Sequence, residues 1–213
     1  MRAALLALVL LAFAASCGGD DDTGEPVASG DGECESVDAP DPREETREAP
    51  TTPLAAGTSY SLVFDTSCGT LTVALDLESA PKTAASLVAL AEDGYYDDTI
   101  IHRVVPNFVI QGGDTTQTGG GGPGYQTVDP PPRDASYVKG VVAMAKAETD
   151  PVGAAGSQFF VVTGADAGLP PLYAIVGKVT EGLDTAERIG ALGVTDGPPS
   201  MPVLVRTVTV SET

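Results

Sequence analysis

The chain is poor in histidine and in basic residues, and both shortages narrow what it can do. Its 213 residues include a single His, His102, and 30 Asp or Glu against 11 Lys or Arg, giving a formal net charge of -19. One imidazole excludes His-cluster metal sites and argues against a Ser-His-Asp hydrolase. The acidic balance argues against a nucleic-acid partner and against binding to an anionic membrane surface through basic residues. We therefore expect no metal site and no nucleic-acid partner.

The chain also lacks a hydrophobic run long enough to span a bilayer as a mature helix. Residues 1–16 are apolar with one charge, Arg2, which is typical of a secretory signal peptide. The run Ala14-Ala-Ser-Cys17 resembles a bacterial lipobox, with Ala14 where Leu is usual. We expect an exported protein that is anchored through lipid on Cys17 to the extracytoplasmic side of the cell membrane. The alternative is plain secretion, which leaves Cys17 free.

Residues 18–57 contain no aromatic side chain, twelve Asp or Glu and five Pro. Such a segment has too little apolar surface to order itself, so residues 17–57 are predicted to be a lipidated Cys and an acidic, disordered tether. A solvated tether is favoured over an acidic cation-binding site. Residues 58–213 are then the folded domain.

Two cysteines remain if Cys17 carries lipid. Cys34 lies in the tether, and Cys68 lies in a predicted hairpin turn of the domain. An even number of thiols in an oxidising compartment predicts a Cys34–Cys68 disulfide. The alternative is a pair of free thiols.

Short β patterns and two helical ones make up the domain. The predicted strands alternate in apolar and polar residues, and Gly94 suits the end of a helix that begins with Pro81. Short strands with Gly and Pro turns favour an all-β sandwich or barrel. Strands are predicted at Tyr60–Asp65, Thr70–Asp76, Ile100–Val105, Phe108–Gln111, Val141–Ala145, Gln158–Val162, Ala174–Thr180 and Val203–Val210, and helices at Pro81–Asp93 and Leu183–Leu192.

The most informative stretch is Ile-His-Arg-Val-Val-Pro-Asn-Phe-Val-Ile-Gln-Gly-Gly-Asp, residues 101–114. Pro106-Asn107 is turn chemistry between two β patterns, so Arg103 and Gln111 are expected on neighbouring antiparallel strands, facing the same way. The stretch offers a cation, an amide, an imidazole and an aromatic ring, but no nucleophile. Such a site can bind and polarise a carbonyl or an amide without breaking a covalent bond.

This stretch resembles the signature of the cyclophilins, the peptidyl-prolyl cis-trans isomerases. The resemblance covers roughly residues 58–210 and continues through residues 119–125, 140–145, 156–160 and 176–179. It implies a mainly β fold, a closed eight-stranded antiparallel barrel capped by two α-helices. It also implies a cofactor-free, monomeric enzyme that accelerates rotation about X-Pro bonds and whose partners are proline-containing polypeptides, here in exported proteins.

By this resemblance Arg103 is the catalytic residue. An X-Pro bond has a rotation barrier near 20 kcal/mol, and rotation requires the nitrogen to become pyramidal. A guanidinium directed at that nitrogen's lone pair stabilises the twisted amide and not the planar one. The alternative for Arg103 is an ordinary strand-surface ion pair.

The resemblance also assigns substrate contacts. Phe108 and Phe160 match the walls of a proline pocket, for which the alternative is simple core packing, and Gln111 matches an amide that contacts the substrate carbonyl. His102 is expected to be a pocket wall and not an acid or base. The remaining substrate-binding positions are Val109, Ala145, Lys146, Gln158, Leu169 and Tyr173. Val109, Lys146 and Tyr173 depart from the Met, Asn and His that are usual there.

A second function remains open at this point. The same groove could hold proline-containing segments as a binding module or chaperone with incidental turnover, although binding alone would not need Arg103. The Gly119-x-Gly121-x-x-Gly124 pattern is not a dinucleotide site, because Pro123 lies inside it and no helix follows.

Overall fold

A computed structural model of the chain describes residues 32–213. Eleven strands and two helices follow one another in this part of the chain. In chain order they are β1 Tyr60–Thr66, β2 Gly69–Leu75, α1 Pro81–Glu92, β3 Thr99–Ile100, β4 Arg103–Val105, β5 Val109–Gly112, β6 Thr127–Val128, β7 Val141–Met144, β8 Ala154–Ala155, β9 Phe159–Val162, β10 Ile175–Glu181, α2 Leu183–Ala191 and β11 Leu204–Glu212. Nine strands form one antiparallel sheet in the order β3-β11-β1-β2-β10-β7-β9-β5-β4.

The two edge strands of this sheet are neighbours in the chain. Only Ile101 and His102 separate β3 from β4, and so short a link cannot bridge two distant edges. The sheet therefore curls until its edges lie side by side. With β3 and β4 counted as one interrupted strand, the sheet has the eight strands that were predicted. The sequence predicted a mainly β fold, a closed eight-stranded antiparallel barrel capped by two helices. The mainly β, antiparallel, curled sheet with two helices confirms that fold class.

Alternation along the strands gives the sheet two different apolar faces. On β4 and β5, Val104 and Ile110 belong to the large inner core, in which Phe64 and Phe159 pack with ring centroids 5.1 Å apart. Val105 and Val109, which neighbour them in the chain, face outward and join a second, smaller apolar cluster. The inner core holds the fold together, whereas the outer cluster is available for a site.

Both helices lie where the sequence predicted them, to within a residue or two at their ends. Pro81 is the first residue of α1, and Gly94, with a φ of +65°, follows its end. Helix α1 has no cap of its own, and a distant carboxylate fills that role. Asp129 accepts hydrogen bonds from the backbone N–H and the hydroxyl of Thr83, at 2.7 and 2.8 Å. This contact fixes α1 against the chain that leads into β7.

The paired glycines of the signature stretch have a steric reason at Gly113. Its φ is +84°, and a Cβ at this position would lie 2.4 Å from the carbonyl oxygen of Ser157. The Ser157 hydroxyl donates to the Gly113 carbonyl at 2.7 Å. Only glycine lets β5 end so close to the segment that leads into β9. The small ribbon β6–β8 was not predicted, because strands of two residues leave no periodic pattern.

The segment before the domain is described in part. The signal peptide at residues 1–16, Cys17 and the first part of the expected tether lie outside the described residues. Residues 34–47 contact the domain at several points, and Cys34 and Cys68 form the predicted disulfide, with their Cα atoms 4.0 Å apart. The disordered tether stays a prediction, although this part of it has a defined path along the domain. Composition indicates disorder because it describes the segment alone. It does not show that the domain supplies hydrogen-bond partners for it.

None of the helices within residues 32–213 has the length and apolar character needed to cross a bilayer.

Candidate active site

One row of residues across the sheet carries the predicted site. Arg103 on β4 pairs with Gln111 on β5, and Gln111 pairs with Phe160 on β9. Residues directly opposite each other on antiparallel strands project from the same face, with Cβ atoms about 5 Å apart. The register therefore sets a cation, an amide and an aromatic ring side by side on the outer face, as the sequence predicted for Arg103 and Gln111.

A directional chain of hydrogen bonds runs along these polar side chains. Arg103 Nη1 donates to Gln111 Oε1 at 3.0 Å, and Gln111 Nε2 donates to Gln158 Oε1 at 3.0 Å. Gln158 Nε2 then donates to the Gly121 carbonyl at 2.9 Å. Each amide has one neighbour that donates to it and one that accepts from it, so its orientation is fixed. Gln111 keeps one amide hydrogen for a further acceptor.

Arg103 has a second partner that the sequence did not indicate. Its Nε and Nη2 donate to the two carboxylate oxygens of Asp196, at 2.6 and 3.0 Å. The hydrogen bond from Arg103 lowers the pKa of Asp196 below its ordinary value, against a smaller opposing effect of burial. Guanidinium has five N–H groups; residues 32–213 engage three of them, and two remain for a substrate. Arg103 is thus both a strand-surface ion pair and a cation with free donors.

The turn chemistry predicted before Phe108 is present. Phe108 N–H donates to the Val105 carbonyl at 3.1 Å, and Asn107 takes a φ of +57°, a conformation that Asn tolerates. This turn delivers Phe108 to the outer apolar cluster, where it packs with Val109 and Phe160. The cluster gathers six predicted pocket residues, Phe108, Val109, Ala145, Phe160, Leu169 and Tyr173. The sheet therefore supplies an apolar surface next to the Arg103–Gln111 pair.

Aromatic packing shapes the floor of this cluster. Phe160 and Tyr173 meet edge to face, with ring centroids 5.6 Å apart. Tyr137, which the sequence analysis missed, lies fully buried beneath them. Its hydroxyl donates to the Tyr173 carbonyl at 2.8 Å and accepts from the Tyr173 N–H at 3.0 Å. Tyr137 fixes the loop that carries Tyr173 and Leu169, but no motif in the sequence points to it.

Two other predicted contacts lie at the rim of the cluster. Ala145 donates its backbone N–H to the Gln158 carbonyl at 2.9 Å, which ties the end of β7 to the start of β9. Lys146 extends over the Tyr173 ring, with Nζ 5.9 Å from the centroid, and donates to the carbonyls of Ala147 and Asp150. The charge that replaces the usual Asn is therefore engaged by its own loop.

His102 lies apart from the apolar cluster. The residue is 8% exposed, and neither ring nitrogen has a hydrogen-bond partner among residues 32–213. Burial is the main cause that lowers the pKa of His102; the Asp114 carboxylate opposes it and the Arg103 cation adds to it. The imidazole is therefore neutral near pH 7. It lies under the glycine-rich loop, where a Cβ on Gly119 would be 4.0 Å from Nε2.

Asp114 organises that glycine-rich loop. Its buried carboxylate accepts hydrogen bonds from the N–H groups of Thr116, Gly119 and Gly121, at 2.8, 2.7 and 3.1 Å. Burial acts to raise the pKa of Asp114, but the hydrogen bonds outweigh it and hold that pKa below its ordinary value. A Cβ on Gly121 would lie 2.1 Å from the carboxylate, so the loop needs glycine there. The loop borders a groove of about 720 Å³ that also reaches Gln111 and Gln158.

This arrangement suits a reaction that makes and breaks no covalent bond. The outer face offers an apolar surface for a ring, an amide hydrogen for a carbonyl and a guanidinium with two free donors. It offers no activated nucleophile. Within residues 32–213 no three His, Cys, Asp or Glu side chains come together in a way that could hold a metal ion.

The family comparison agrees with this chemistry. The sequence model of the family described as "Cyclophilin type peptidyl-prolyl cis-trans isomerase/CLD" matches residues 61–210. A peptidyl-prolyl cis-trans isomerase-like 1 protein of Gibberella zeae is 35% identical over 160 residues, which cover 71% of this chain and 96% of that protein. The peptidyl-prolyl cis-trans isomerase ppi1 of Schizosaccharomyces pombe is 39% identical over 133 residues, 61% of this chain and 84% of its own length.

Solved structures extend the likeness to the fold. A crystal structure of a Cryptosporidium parvum cyclophilin-type peptidyl-prolyl cis-trans isomerase superposes with a TM-score of 0.66 at 29% sequence identity, covering 72% of this chain and 98% of the other. A structure of the same protein determined in the presence of the dipeptide Ala-Pro gives a TM-score of 0.65 and covers 71% of this chain and 98% of that one. The chain therefore belongs to the cyclophilin-type peptidyl-prolyl cis-trans isomerases, and its activity is peptidyl-prolyl cis-trans isomerisation.

Proposed function

We propose that this isomerase acts on exported proteins, that lipid on Cys17 holds it to the extracytoplasmic side of the cell membrane, and that Arg103 stabilises the twisted X-Pro amide. The proposed catalytic role rests on the hydrogen bonds of Arg103. Three of its N–H groups are held by Gln111 and Asp196, and two remain free beside an apolar cluster.

The division of work in the site follows from these contacts. The apolar cluster around Phe108 and Phe160 takes the proline ring, which fixes the position of the proline nitrogen. Gln111 donates its remaining amide hydrogen to the substrate carbonyl. The guanidinium of Arg103 donates to the nitrogen lone pair, which exists only when the amide is twisted and pyramidal. Interactions that form only in the transition state lower the barrier, whereas equal binding of both states does not.

This arrangement favours catalysis over the binding module that the sequence left open. A module that only holds proline segments gains from the apolar cluster and from Gln111, but it gains nothing from unused donors on Arg103. In a module that only binds, the protein could satisfy the two remaining donors of Arg103 as well, and Asp196 would still hold the guanidinium in place.

Two features support the exported location. Residues 1–17 combine a signal-like apolar run with small residues before Cys17. The Cys34–Cys68 disulfide fits an oxidising compartment, since such bridges are rare where thiols are kept reduced. We infer that the acidic residues after Cys17 separate the lipid from the domain.

Fractionation of cells that express the full chain tests the location. We expect wild-type protein in the membrane fraction and Cys17→Ser protein in the soluble exported fraction, with equal isomerase activity per molecule. Cys34→Ser is the control, because it replaces a cysteine without touching the lipidation position, and it should remain with the membrane. Equal membrane association of wild type and Cys17→Ser would contradict the lipid anchor.

A further inference from the structure

The segment before the domain follows a defined path along its surface. We call residues 34–47 the N-terminal strap. It begins at the disulfide between Cys34 and Cys68, where Glu35 N–H donates to the Ser67 carbonyl at 2.7 Å. It ends beside the loop that borders the active-site groove. Residues 43, 45 and 47 are half-buried and alternate with exposed neighbours, the pattern of an extended chain lying on a surface.

Two arginines fasten the far end of the strap. The Arg43 guanidinium donates to the carbonyls of Tyr95, Asp97 and Asp98, at 3.3, 2.9 and 3.0 Å, and to Glu45. Arg47 pairs with Asp93, and its guanidinium carbon lies 5.5 Å from the centre of the Tyr95 ring. Both side chains therefore hold the chain that leads from α1 into β3.

The strap also contacts the glycine-rich loop at separate points. Arg43 N–H donates to the Thr115 carbonyl and Arg47 N–H to the Pro123 carbonyl, each at 2.8 Å. Gln117 Nε2 donates to the Pro40 carbonyl, again at 2.8 Å. A Cβ built on Gly124 would lie 3.2 Å from Thr46 Cγ2, which places the two chains in contact.

That loop is one wall of the substrate groove and part of the polar chain behind Arg103. The groove is lined by residues 119–126 on one side and by residues around Ala145 and Gln158 on the other. The Gly121 carbonyl accepts the hydrogen bond that orients Gln158 and, through it, Gln111. A shift of the loop therefore changes both the width of the groove and the acceptor at the end of the chain.

The strap is not needed for the shared fold. The family match covers residues 61–210, and the Gibberella zeae relative aligns over 96% of its own length with 71% of this chain. Glycine permits many backbone conformations, and in this chain the strap adds hydrogen bonds at Thr115 and Pro123 to those that Asp114 makes inside the loop. We propose that the N-terminal strap sets the affinity of the isomerase for the polypeptide around the X-Pro bond, with Arg43 and Arg47 as positioning residues that hold the glycine-rich loop against the groove.

The test measures KM and kcat of the full mature chain that carries Arg43→Ala and Arg47→Ala together. We expect KM for a proline tetrapeptide to rise about threefold to tenfold while kcat stays within about twofold, because the partners of Arg103 within residues 32–213 are Gln111 and Asp196 and not the strap. Lys139→Ala is the control. Lys139 forms a surface ion pair with Glu187 on α2, and this contact involves neither the strap nor its Cys68 anchor.

Amide hydrogen exchange gives a readout that needs no substrate. The N–H groups of residues 43 and 47 report release of the strap, and those of Gly119 and Gly121, bonded to Asp114, report the loop. In the double variant all four should exchange faster, whereas in Lys139→Ala they should not. Adding Cys34→Ser releases the strap at its other end and should increase the effect on KM.

The outcomes separate this inference from the proposed function on which it rests. A released strap with unchanged loop exchange and unchanged KM would overturn it, as would strap amides that stay protected after the arginines are removed. Faster loop exchange with no change in KM would also overturn it. If the wild-type chain showed no isomerisation dependent on Arg103, the proposed catalytic role would fail, while the exchange measurements would still report whether the strap holds the loop.

Discussion

The active-site face and the N-terminal strap both depend on arginine, but they use it in opposite ways. In the strap, Arg43 directs four hydrogen bonds at protein acceptors, three of them backbone carbonyls. On the outer face of the sheet, Arg103 makes three, all to side chains, and keeps two N–H groups. Arg43 uses its hydrogen bonds to fasten the strap to the domain, whereas Arg103 is held in place and keeps two N–H donors for a substrate.

The surroundings of the two arginines differ in the same sense. Arg43 lies on an irregular segment that gains its order from the domain it touches. Arg103 lies on a strand, opposite Gln111 in the sheet register, and so its position is set by the fold before any side-chain contact forms. A catalytic group needs this rigidity. If its side chain had to be ordered during the reaction, the free energy of ordering would offset the stabilisation that it gives the transition state.

The largest effect is expected at Arg103. Arg103→Ala should lower kcat/KM for isomerisation by about two to three orders of magnitude, or ~3–4 kcal/mol of transition-state stabilisation, because the free donors are lost. Binding of a proline peptide should change much less, since the apolar cluster remains. Exchange spectroscopy on a short X-Pro peptide measures turnover, and titration calorimetry measures binding. Arg188→Ala is the control for loss of an arginine elsewhere, because Arg188 joins α2 to the Cys68 carbonyl. Wild-type turnover in Arg103→Ala would refute the assignment.

The next largest effect is expected at the other end of the strap. Cys34→Ser opens a loop with a sequence separation of 34 residues, and the chain-entropy argument predicts a loss of between about 3 and 4 kcal/mol in the free energy of unfolding. Urea unfolding with and without reductant measures it. Reductant should lower the midpoint of the wild type and leave that of Cys34→Ser unchanged. Turnover should be unaffected, and a large fall in kcat would show that the bridge is not purely structural.

A smaller effect is expected at Asp196. Asp196→Asn leaves Arg103 its free donors but weakens the contact that fixes the guanidinium plane, so kcat/KM should fall about threefold, or ~0.7 kcal/mol, in the range of exposed ion pairs. Asp184→Asn is the matched control, since Asp184 is an exposed partner of Arg188. Added salt should weaken wild-type activity more than that of Asp196→Asn. A fall as large as that of Arg103→Ala would mean that Asp196 does more than orient Arg103.

The smallest effect near neutral pH is expected at His102. Because its pKa is lowered in the folded state from the ordinary 6.5, the unfolded chain binds a proton that the folded chain does not. The free energy of unfolding should therefore decrease as pH falls through about 6.5 and level off below the lowered folded-state pKa. His102→Gln should lose that part of the slope in unfolding curves from about pH 8 to pH 5. Identical slopes in the two proteins would contradict it.

Much of the fold follows from local features of the sequence. The helices are marked by Pro81 and Gly94, and the β4–β5 turn by Pro106-Asn107, because each of these residues restricts or permits backbone angles without help from the rest of the chain. The outer and inner faces follow from the period of two along the strands. The interruption between β3 and β4 was not predicted, because it depends on closure of the sheet.

The site divides in the same way. Arg103 and Gln111 were predicted to face together, because they flank one short turn. Asp196 and Tyr137 were missed, because each reaches the site from a segment that is distant in sequence and carries no motif.

The sequence by itself determined the family, the strand and helix positions, the Arg103–Gln111 pair and the candidate disulfide, since these depend on residue types at short or recognisable spacing. Only the tertiary structure decided that residues 34–47 lie along the domain. Their composition is that of a disordered chain, and the hydrogen-bond acceptors that order them lie in the chain around residues 95–98 and 115–123. The order of such a segment is a property of the surface it meets, which no local pattern records.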